Sequence, residues 1–290
     1  MRLLVTGTQG QVTRALQERA GDGVEIIAVG RPDFDLSLDI DPAPLFRRLN
    51  PQIVVSAAAY TAVDKAESES DLAYAVNRRG AGKVAAAAES LGIPVIHLST
   101  DYVFDGTAKR PLKETDPTGP IGIYGASKLA GEQAVAAANP DHAILRTAWV
   151  YAPFGANFLR TMLRLAKSRD ELGVVADQLG TPTSALDIAE AVLRVARNFQ
   201  PGIFHFSDSG GPASWADFAA EIFLLSAERG GPTAKVNKIT TADYPTSAKR
   251  PAWSVLDCGK FKDSFQWTPP DWRDSARVVM DRLAQSGEWA

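Results

Sequence analysis

The sequence predicts an α/β protein built on a doubly wound parallel sheet, followed by a smaller, less regular α/β unit. Three observations carry this. Short β-branched apolar runs recur at Leu3 to Thr6, Val24 to Val29, Gln52 to Ala57, Pro94 to Ser99 and Ala143 to Thr147. Strands that are apolar throughout are buried on both faces, as in a parallel sheet. Helix-length segments separate them, and each crossover of that kind lays a helix over the sheet. Finally, the first strand runs into a glycine-containing turn that opens directly into an amphipathic helix.

Taken in order, the helical patterns fall at Thr13 to Arg19, Pro44 to Leu49, Asp71 to Ser90 with its Ala-rich centre, and Gly125 to Ala138. After about Trp149 the rhythm loosens into a helix near Asn157 to Lys167, a strand near Val174, a helix from Ala185 to Asn198 and a strand at Ile203 to Phe206. From Ser214 on, the chain is rich in Trp and Pro and reads as irregular. Tyr244-Pro245, Arg250-Pro251 and Pro269-Pro270 mark loops, since proline fixes its own φ and restricts its predecessor. No internal repeat is visible.

Composition narrows the function. Against 34 acidic residues stand 31 basic ones, a formal charge of -3. Such a chain has no field to draw in nucleic acid or an anionic membrane, so an anionic ligand has to be caught locally. The single cysteine, Cys258, makes no internal disulfide, and His97, His142 and His205 show no metal-ligand spacing. No metal is expected. The apolar start breaks at Gly7, too early for a signal peptide, and no run approaches the ~20 apolar residues of a membrane span. These features read as a cytoplasmic protein.

The turn Gly7-Thr-Gln-Gly10-Gln-Val-Thr13 has the strand-turn-helix context of a Rossmann dinucleotide fingerprint. Its glycines admit a pyrophosphate close to the backbone, over the free N–H groups of a helix start. Thr13 stands where the third glycine usually sits. At the end of the second strand, where an acid would hold a ribose 2′-hydroxyl, the chain reads Val29-Gly30-Arg31. A guanidinium there favours a 2′-phosphate. The expected cofactor is NADPH, with NADH admitted. Residues 1–150 form the expected NAD(P)-binding domain, and 151–290 are mainly substrate-binding, with some segments returning to the sheet.

Ser99-Thr100-Asp101-Tyr102 closes the fourth strand, and Tyr124-Gly-Ala-Ser-Lys128 opens the next helix. Residues four apart share a helix face. An ammonium from Lys128 is expected to lower the Tyr124 pKa, making the phenol a usable proton donor to a developing alkoxide, with Thr100 donating to the same oxygen. A Tyr/Lys pair alone is usually a solvated helix face. The strand end and glycine turn upstream favour chemistry.

These motifs, with Ala57 to Glu67, Arg146 to Tyr151, Asp177-Gln178, Gly180 to Thr183 and Arg250-Pro251, resemble the extended short-chain dehydrogenase/reductases, and within them the dTDP-4-dehydrorhamnose reductase family, over nearly the whole chain. The resemblance implies a catalytic set of Thr100, Tyr124 and Lys128. It implies pyrophosphate binding by Gly7, Gly10, Gln11 and Val12. Asp35 and Leu36 would flank the adenine, Ala59, Tyr60 and Thr61 would stand beside the cofactor, and Asp101, Trp149 and Arg250 would line a dTDP-sugar site with Thr100. Ser56, Gly119 and Gly122 depart from the family's residues at their positions. The resemblance also admits a homodimer and places a 3,5-epimerase in the same pathway.

Two alternatives stay open: a reductase of another nucleotide-linked 4-keto-6-deoxy sugar, and a non-catalytic NADP-binding regulatory subunit. A 4,6-dehydratase is disfavoured, because Tyr102 stands where that branch carries a glutamate. Asp64, Glu67, Glu69 and Asp71 read as a solvated helix-entry face and His97 as a satisfied core histidine. Trp215, Trp253, Trp267, Trp272 and Trp289 read as packing anchors.

Overall fold

The computed structural model describes residues 1–289; Ala290, the last residue of the second expected unit, lies outside them. β1 (Arg2–Thr6) leads through α1 (Gln11–Arg19) to β2 (Glu25–Val29), α2 (Ala43–Leu49) and β3 (Ile53–Ser56). Two short helices, α3 (Val63–Ala66) and α4 (Ser70–Tyr74), a π-helical turn at Ala75–Gly80 and α5 (Ala81–Glu89) lead on to β4 (Val95–Thr100). α6 (Ile123–Ala138) crosses to β5 (His142–Thr147). The second half runs β6 (Val150–Tyr151), α7 (Phe158–Ala166), β7 (Glu171–Val175), β8 (Leu179–Gly180), β9 (Thr183–Ser184), α8 (Ala185–Arg197), β10 (Gly202–His205), β11 (Ala213–Ser214), α9 (Trp215–Ala227), β12 (Lys235–Ile239), α10 (Gly259–Phe265) and α11 (Trp272–Ser286).

The central sheet has six parallel strands in the order β2-β1-β3-β4-β5-β10. Successive side chains of a strand face opposite ways, and the core divides accordingly. Leu3, Val5, Ile53 and Val55 join α1 and α8 on one face, through Leu16, Ile188, Val192 and Val195. Leu4, Val54 and Val95 join α2, α5 and α6 on the other, through Phe46, Val84, Ala88 and Val135. Each fully buried side chain of this size stabilises by roughly 1.5 to 3 kcal/mol. Direction reverses between β1 and β3, because β2 lies to one side of β1 and the later strands to the other. Ligands bind outside the carboxyl ends of the strands at such a point.

Two expectations are refined. The Ala-rich stretch from Asp71 to Ser90 is one helical run, as expected, but not a uniform α-helix: a π turn at Ala75–Gly80 joins α4 to α5. Within it the buried Asn77 makes three side-chain bonds, accepting from Tyr60 N at 2.8 Å and donating to Tyr60 O at 3.1 Å and Ser127 Oγ at 2.9 Å. Such turns recur at functional sites, and these bonds offset its poorer backbone geometry. The segment after Ser214 is also more regular than its composition suggests, since α9 and α11 span 13 and 15 residues. Ser214 and Asp217 cap α9 reciprocally, the Ser214 hydroxyl accepting from Asp217 N and the Asp217 carboxylate accepting from Ser214 N, both at 3.1 Å. That spacing is a sequence signal for a helix start.

Candidate active site

The glycine turn sits at the β1/β3 reversal. Gly7 has φ +92°, and a Cβ there would stand 3.3 Å from the Ala58 Cβ. The Thr6 hydroxyl holds the facing turn, accepting from Ala57 N and Ala58 N at 3.0 Å each. Gly10 is the N-cap of α1, and no side chain caps it. The first N–H groups of α1, on Gln11 and Val12, are thus open to an oxyanion, and the turn fits a dinucleotide pyrophosphate. Arg31 is exposed and directly follows Gly30, itself tight against Gly7 and Thr8. Asp35 accepts from Ser37 N and Ser37 Oγ at 2.9 and 2.8 Å, which hold its carboxyl below the ordinary range. Leu36 turns inward onto the core with Phe34 and Phe46. Ala59, Tyr60 and Thr61 follow β3, pinned by Asn77. Gln11 reaches the second half of the chain, accepting from Asn157 Nδ2 at 2.9 Å.

Thr100, the last residue of β4, donates to Asp101 Oδ1 at 2.9 Å and accepts from Tyr102 N at 3.2 Å. Its hydroxyl also lies against the Tyr124 phenol. Tyr124 stands in the first turn of α6 and packs edge-on against the Tyr102 ring at 5.6 Å. The expected lowering of its pKa by Lys128 is corrected: burial pushes the phenol up to about 12, and Lys128 is not among its influences. The reason is the direction of the lysine, whose Nζ donates to Leu98 O at 2.6 Å. Burial brings Lys128 down to about 8, against an upward pull from Glu132. A phenol with so high a pKa is fully protonated at neutral pH, as a proton donor has to be.

Under this pair lies a charged network that sequence reasoning missed. Glu132, one turn beyond Lys128, accepts from Ser99 Oγ at 2.5 Å and from Arg146 Nε and Nη2 at 2.9 and 2.7 Å. Arg146 Nη1 lies 3.4 Å from His205 Nε2, and the His205 Nδ1 is 2.9 Å from Leu112 O. The sequence signal was an Arg inside the apolar strand His142 to Thr147, which demands a buried partner. His97 is fully buried, but its expected satisfaction is only partial. Nδ1 lies 3.1 Å from Ser56 Oγ, while Nε2 has no partner among the described residues.

The residues expected at the sugar nucleotide converge on the same end of the sheet. Trp149 adopts φ +45° and stacks on Trp215 with centroids 3.5 Å apart. Trp215 is thus part of this wall as well as a packing residue. A Cβ at Gly180 would come within 2.5 Å of the Trp149 ring, so only glycine leaves room for the indole. Arg250 is not a free cation: it pairs with Asp64 through Nη2 at 2.7 Å and Nη1 at 3.1 Å. The acidic stretch faces solvent at Glu67, Glu69 and Asp71, as expected, but it is not idle. Besides Asp64, Glu67 accepts from Ile123 N at 2.8 Å, capping α6, and Glu69 accepts from the Tyr60 hydroxyl at 2.7 Å. The partners of Glu67 and Asp64 come from segments 56 and 186 residues away, beyond the reach of local patterns.

Asp101 is buried, and burial pushes its carboxyl up to about 6, with the Ser254 and Thr100 hydroxyls restraining it. Its folded-state pKa therefore lies above the unfolded value. The folded protein keeps a proton that the unfolded chain releases, and stability falls as pH rises through this window. Asp101→Asn removes the titration, so relative to the parent it gains about 3 kcal/mol between roughly pH 4 and pH 8. Urea unfolding of both proteins at the two pH values measures the gain; a difference that does not change with pH refutes it.

The chain is similar to known proteins along nearly its whole length. The family described as RmlD substrate binding domain matches residues 1–285. The dTDP-4-dehydrorhamnose reductase of Sinorhizobium fredii (strain NBRC 101917 / NGR234) is 53% identical, with 99% of each chain covered. The enzyme of that name from Escherichia coli K12 is 42% identical, with 98% of each covered. Among solved structures, a dTDP-4-dehydrorhamnose reductase from Clostridium acetobutylicum superposes with a TM-score of 0.92 at 42% identity, over 98% of this chain and 99% of that one. One from Bacillus anthracis, solved in complex with NADP, gives 0.92 at 34% identity, over 97% and 99%. A glycine turn at a strand-order reversal, a tyrosine and lysine on one helix and a match along nearly the whole length lead to one conclusion: the chain belongs to the dTDP-4-dehydrorhamnose reductase family.

Proposed function

We propose that this protein reduces the C4 ketone of dTDP-4-dehydro-L-rhamnose to dTDP-L-rhamnose with NADPH. The observation that carries the reading is the Thr100 hydroxyl lying against the Tyr124 phenol at the carboxyl end of β4, with Lys128 one turn further along α6 and its amine held on Leu98 O. Bound NADPH supplies the hydride that adds to C4. Tyr124 gives its phenolic proton to the C4 oxygen as negative charge develops there, and Thr100 donates a hydrogen bond to the same oxygen. Lys128, with a pKa near 8, stays cationic at neutral pH and lends positive charge to this end of α6.

Residues 1–150 bind the cofactor in this reading. Gly7, Gly10, Gln11 and Val12 meet the pyrophosphate, Arg31 the 2′-phosphate, Asp35 and Leu36 the adenine side, and Ala59, Tyr60 and Thr61 the ribose side. Residues 151–290 bind most of the sugar nucleotide, with Arg250 at the diphosphate, and Asp101 and Trp149 reach the sugar from the first unit. Among the described residues no helix is long and apolar enough to cross a membrane. In this reading the enzyme is cytoplasmic, takes its substrate from a 3,5-epimerase and is open to homodimer formation.

The decisive experiment is NADPH oxidation in the presence of dTDP-4-dehydro-L-rhamnose, with product identified by NMR. Turnover is expected. Binding of NADPH without turnover would favour a regulatory subunit, and turnover only with another nucleotide would reassign the substrate. For the cofactor, Arg31→Ala removes a charge-assisted contact and weakens NADPH by roughly ten- to a hundredfold, leaving NADH nearly unchanged. Fluorescence titration with both cofactors reads this; equal losses show that Arg31 does not contact the phosphate.

A further inference from the structure

A guanidinium has five N–H donors in a rigid plane, and Arg250 commits only one end of that plane to the protein. Its Nη1 faces Thr246 Oγ1 at 2.6 Å, Asp64 Oδ1 at 3.1 Å and Ala248 O at 3.3 Å, and its Nη2 faces Asp64 Oδ2 at 2.7 Å. The Asp64 carboxylate therefore grips the guanidinium end-on. The side edge, made of Nε–H and the second Nη2–H, meets no acceptor among the described residues. A side edge of this kind is itself a bidentate seat for a phosphate oxygen pair.

Asp64 is built to hold that geometry. Its Oδ1 also accepts from Ala248 N at 3.1 Å, so one carboxylate fixes both the arginine head and the backbone two residues before it. The Arg250 guanidinium and the Ala248 N–H keep the Asp64 carboxyl below its ordinary range, so it stays ionised. Glu67, at the end of the same short turn, caps the N-terminus of α6 one residue before Tyr124. Gly122 leaves it room, since a Cβ there would stand 2.9 Å from Glu67 Oε1. One acidic turn thus ties the cation of the C-terminal loop to the helix that carries the phenol. Tyr102, whose ring meets Tyr124 edge-on at 5.6 Å, and Tyr244 both act electrostatically on the guanidinium.

We propose that Asp64 is a positioning residue for sugar-nucleotide binding: by clamping Arg250 end-on, it presents the Nε/Nη2 edge to the substrate diphosphate. This rests on the reading of Arg250 as a diphosphate residue. Asp64 does not touch the substrate. It acts by ordering the arginine before binding, so that little side-chain freedom is lost when the oxyanion arrives.

The test measures KM for the dTDP-sugar, kcat and the Kd of dTDP, for Asp64→Asn, Asp64→Glu, Arg250→Ala and the Asp64→Asn/Arg250→Ala double variant. Asp64→Asn is expected to raise KM and the dTDP Kd about tenfold, the loss of one charge-assisted restraint, with kcat and NADPH affinity nearly unchanged. Asp64→Glu, which keeps the charge on a longer arm, restores part of the loss and stands in if the asparagine variant fails to fold. In the Arg250→Ala background, Asp64→Asn is expected to add nothing, because its partner is gone. An unchanged KM in Asp64→Asn, a lower one, or a full further loss in the double variant overturns the proposal. Unchanged KM in Arg250→Ala refutes the assignment of Arg250 itself.

Discussion

Replacing Tyr124 by Phe is expected to lower turnover by ~10²- to 10⁴-fold, the usual contribution of a general acid, while leaving the fold and NADPH binding intact. The substitution is a clean probe here. The ring stays, with its edge-on contact to Tyr102 at 5.6 Å, and only the hydroxyl lying against Thr100 is lost. Burial keeps that hydroxyl protonated up to about pH 12, so the parent enzyme holds its proton in readiness over the whole accessible range. Steady-state NADPH oxidation at saturating dTDP-sugar gives the number. Near-normal turnover would mean that the C4 oxygen takes its proton elsewhere, with Thr100 and solvent the remaining route.

Arg146→Ala has the largest expected effect on stability. The Arg146 and Glu132 side chains are only 3% and 4% exposed, and removing the arginine strands a buried carboxylate. Breaking such a pair from one side costs about 3 to 5 kcal/mol, or roughly 10 °C in the melting temperature at about 2 to 4 °C per kcal/mol. Ser99 donates a single hydrogen bond and cannot compensate. Arg146→Met combined with Glu132→Leu removes both charges and is expected to recover most of the loss, since no buried charge is then left unpaired, only the Ser99 hydroxyl and His205 Nε2 losing a partner each. Thermal unfolding of the two variants decides it: equal destabilisation would show that packing around Phe104 and His205, and not charge, holds this layer.

How much was legible in the sequence follows from where each signal resides. Strands β1, β3, β4 and β5 were visible because burial on both faces leaves runs such as Ile53 to Val55 with no polar interruption, and the half-buried edge strand β2 because of its β-branched run Ile26, Ile27 and Val29. That Tyr124 and Lys128 share one face of α6 was legible from helical spacing. Arg250 could be named from the sequence, but its partner could not: an ion pair spanning 186 residues has no local trace. The π turn was hidden for a related reason. Its residues, Ala75 to Gly80, have ordinary helical propensities, and what widens the turn is the engagement of Asn77 with Tyr60 and Ser127. The expected depression of the Tyr124 pKa failed on direction, because spacing puts Lys128 on the right face without saying that its amine turns to the Leu98 carbonyl.

The fit of Trp149 against Gly180 reaches beyond this single molecule. An indole within 2.5 Å of where a Cβ would stand makes the two positions one unit of inheritance. While tryptophan occupies 149, every substitution at 180 displaces the ring from its place on Trp215. Once a lineage gives up that ring for a smaller side chain, 180 is released and free to drift. Among descendants of a common ancestor, the pair should therefore change together, the aromatic lost first and the glycine after it.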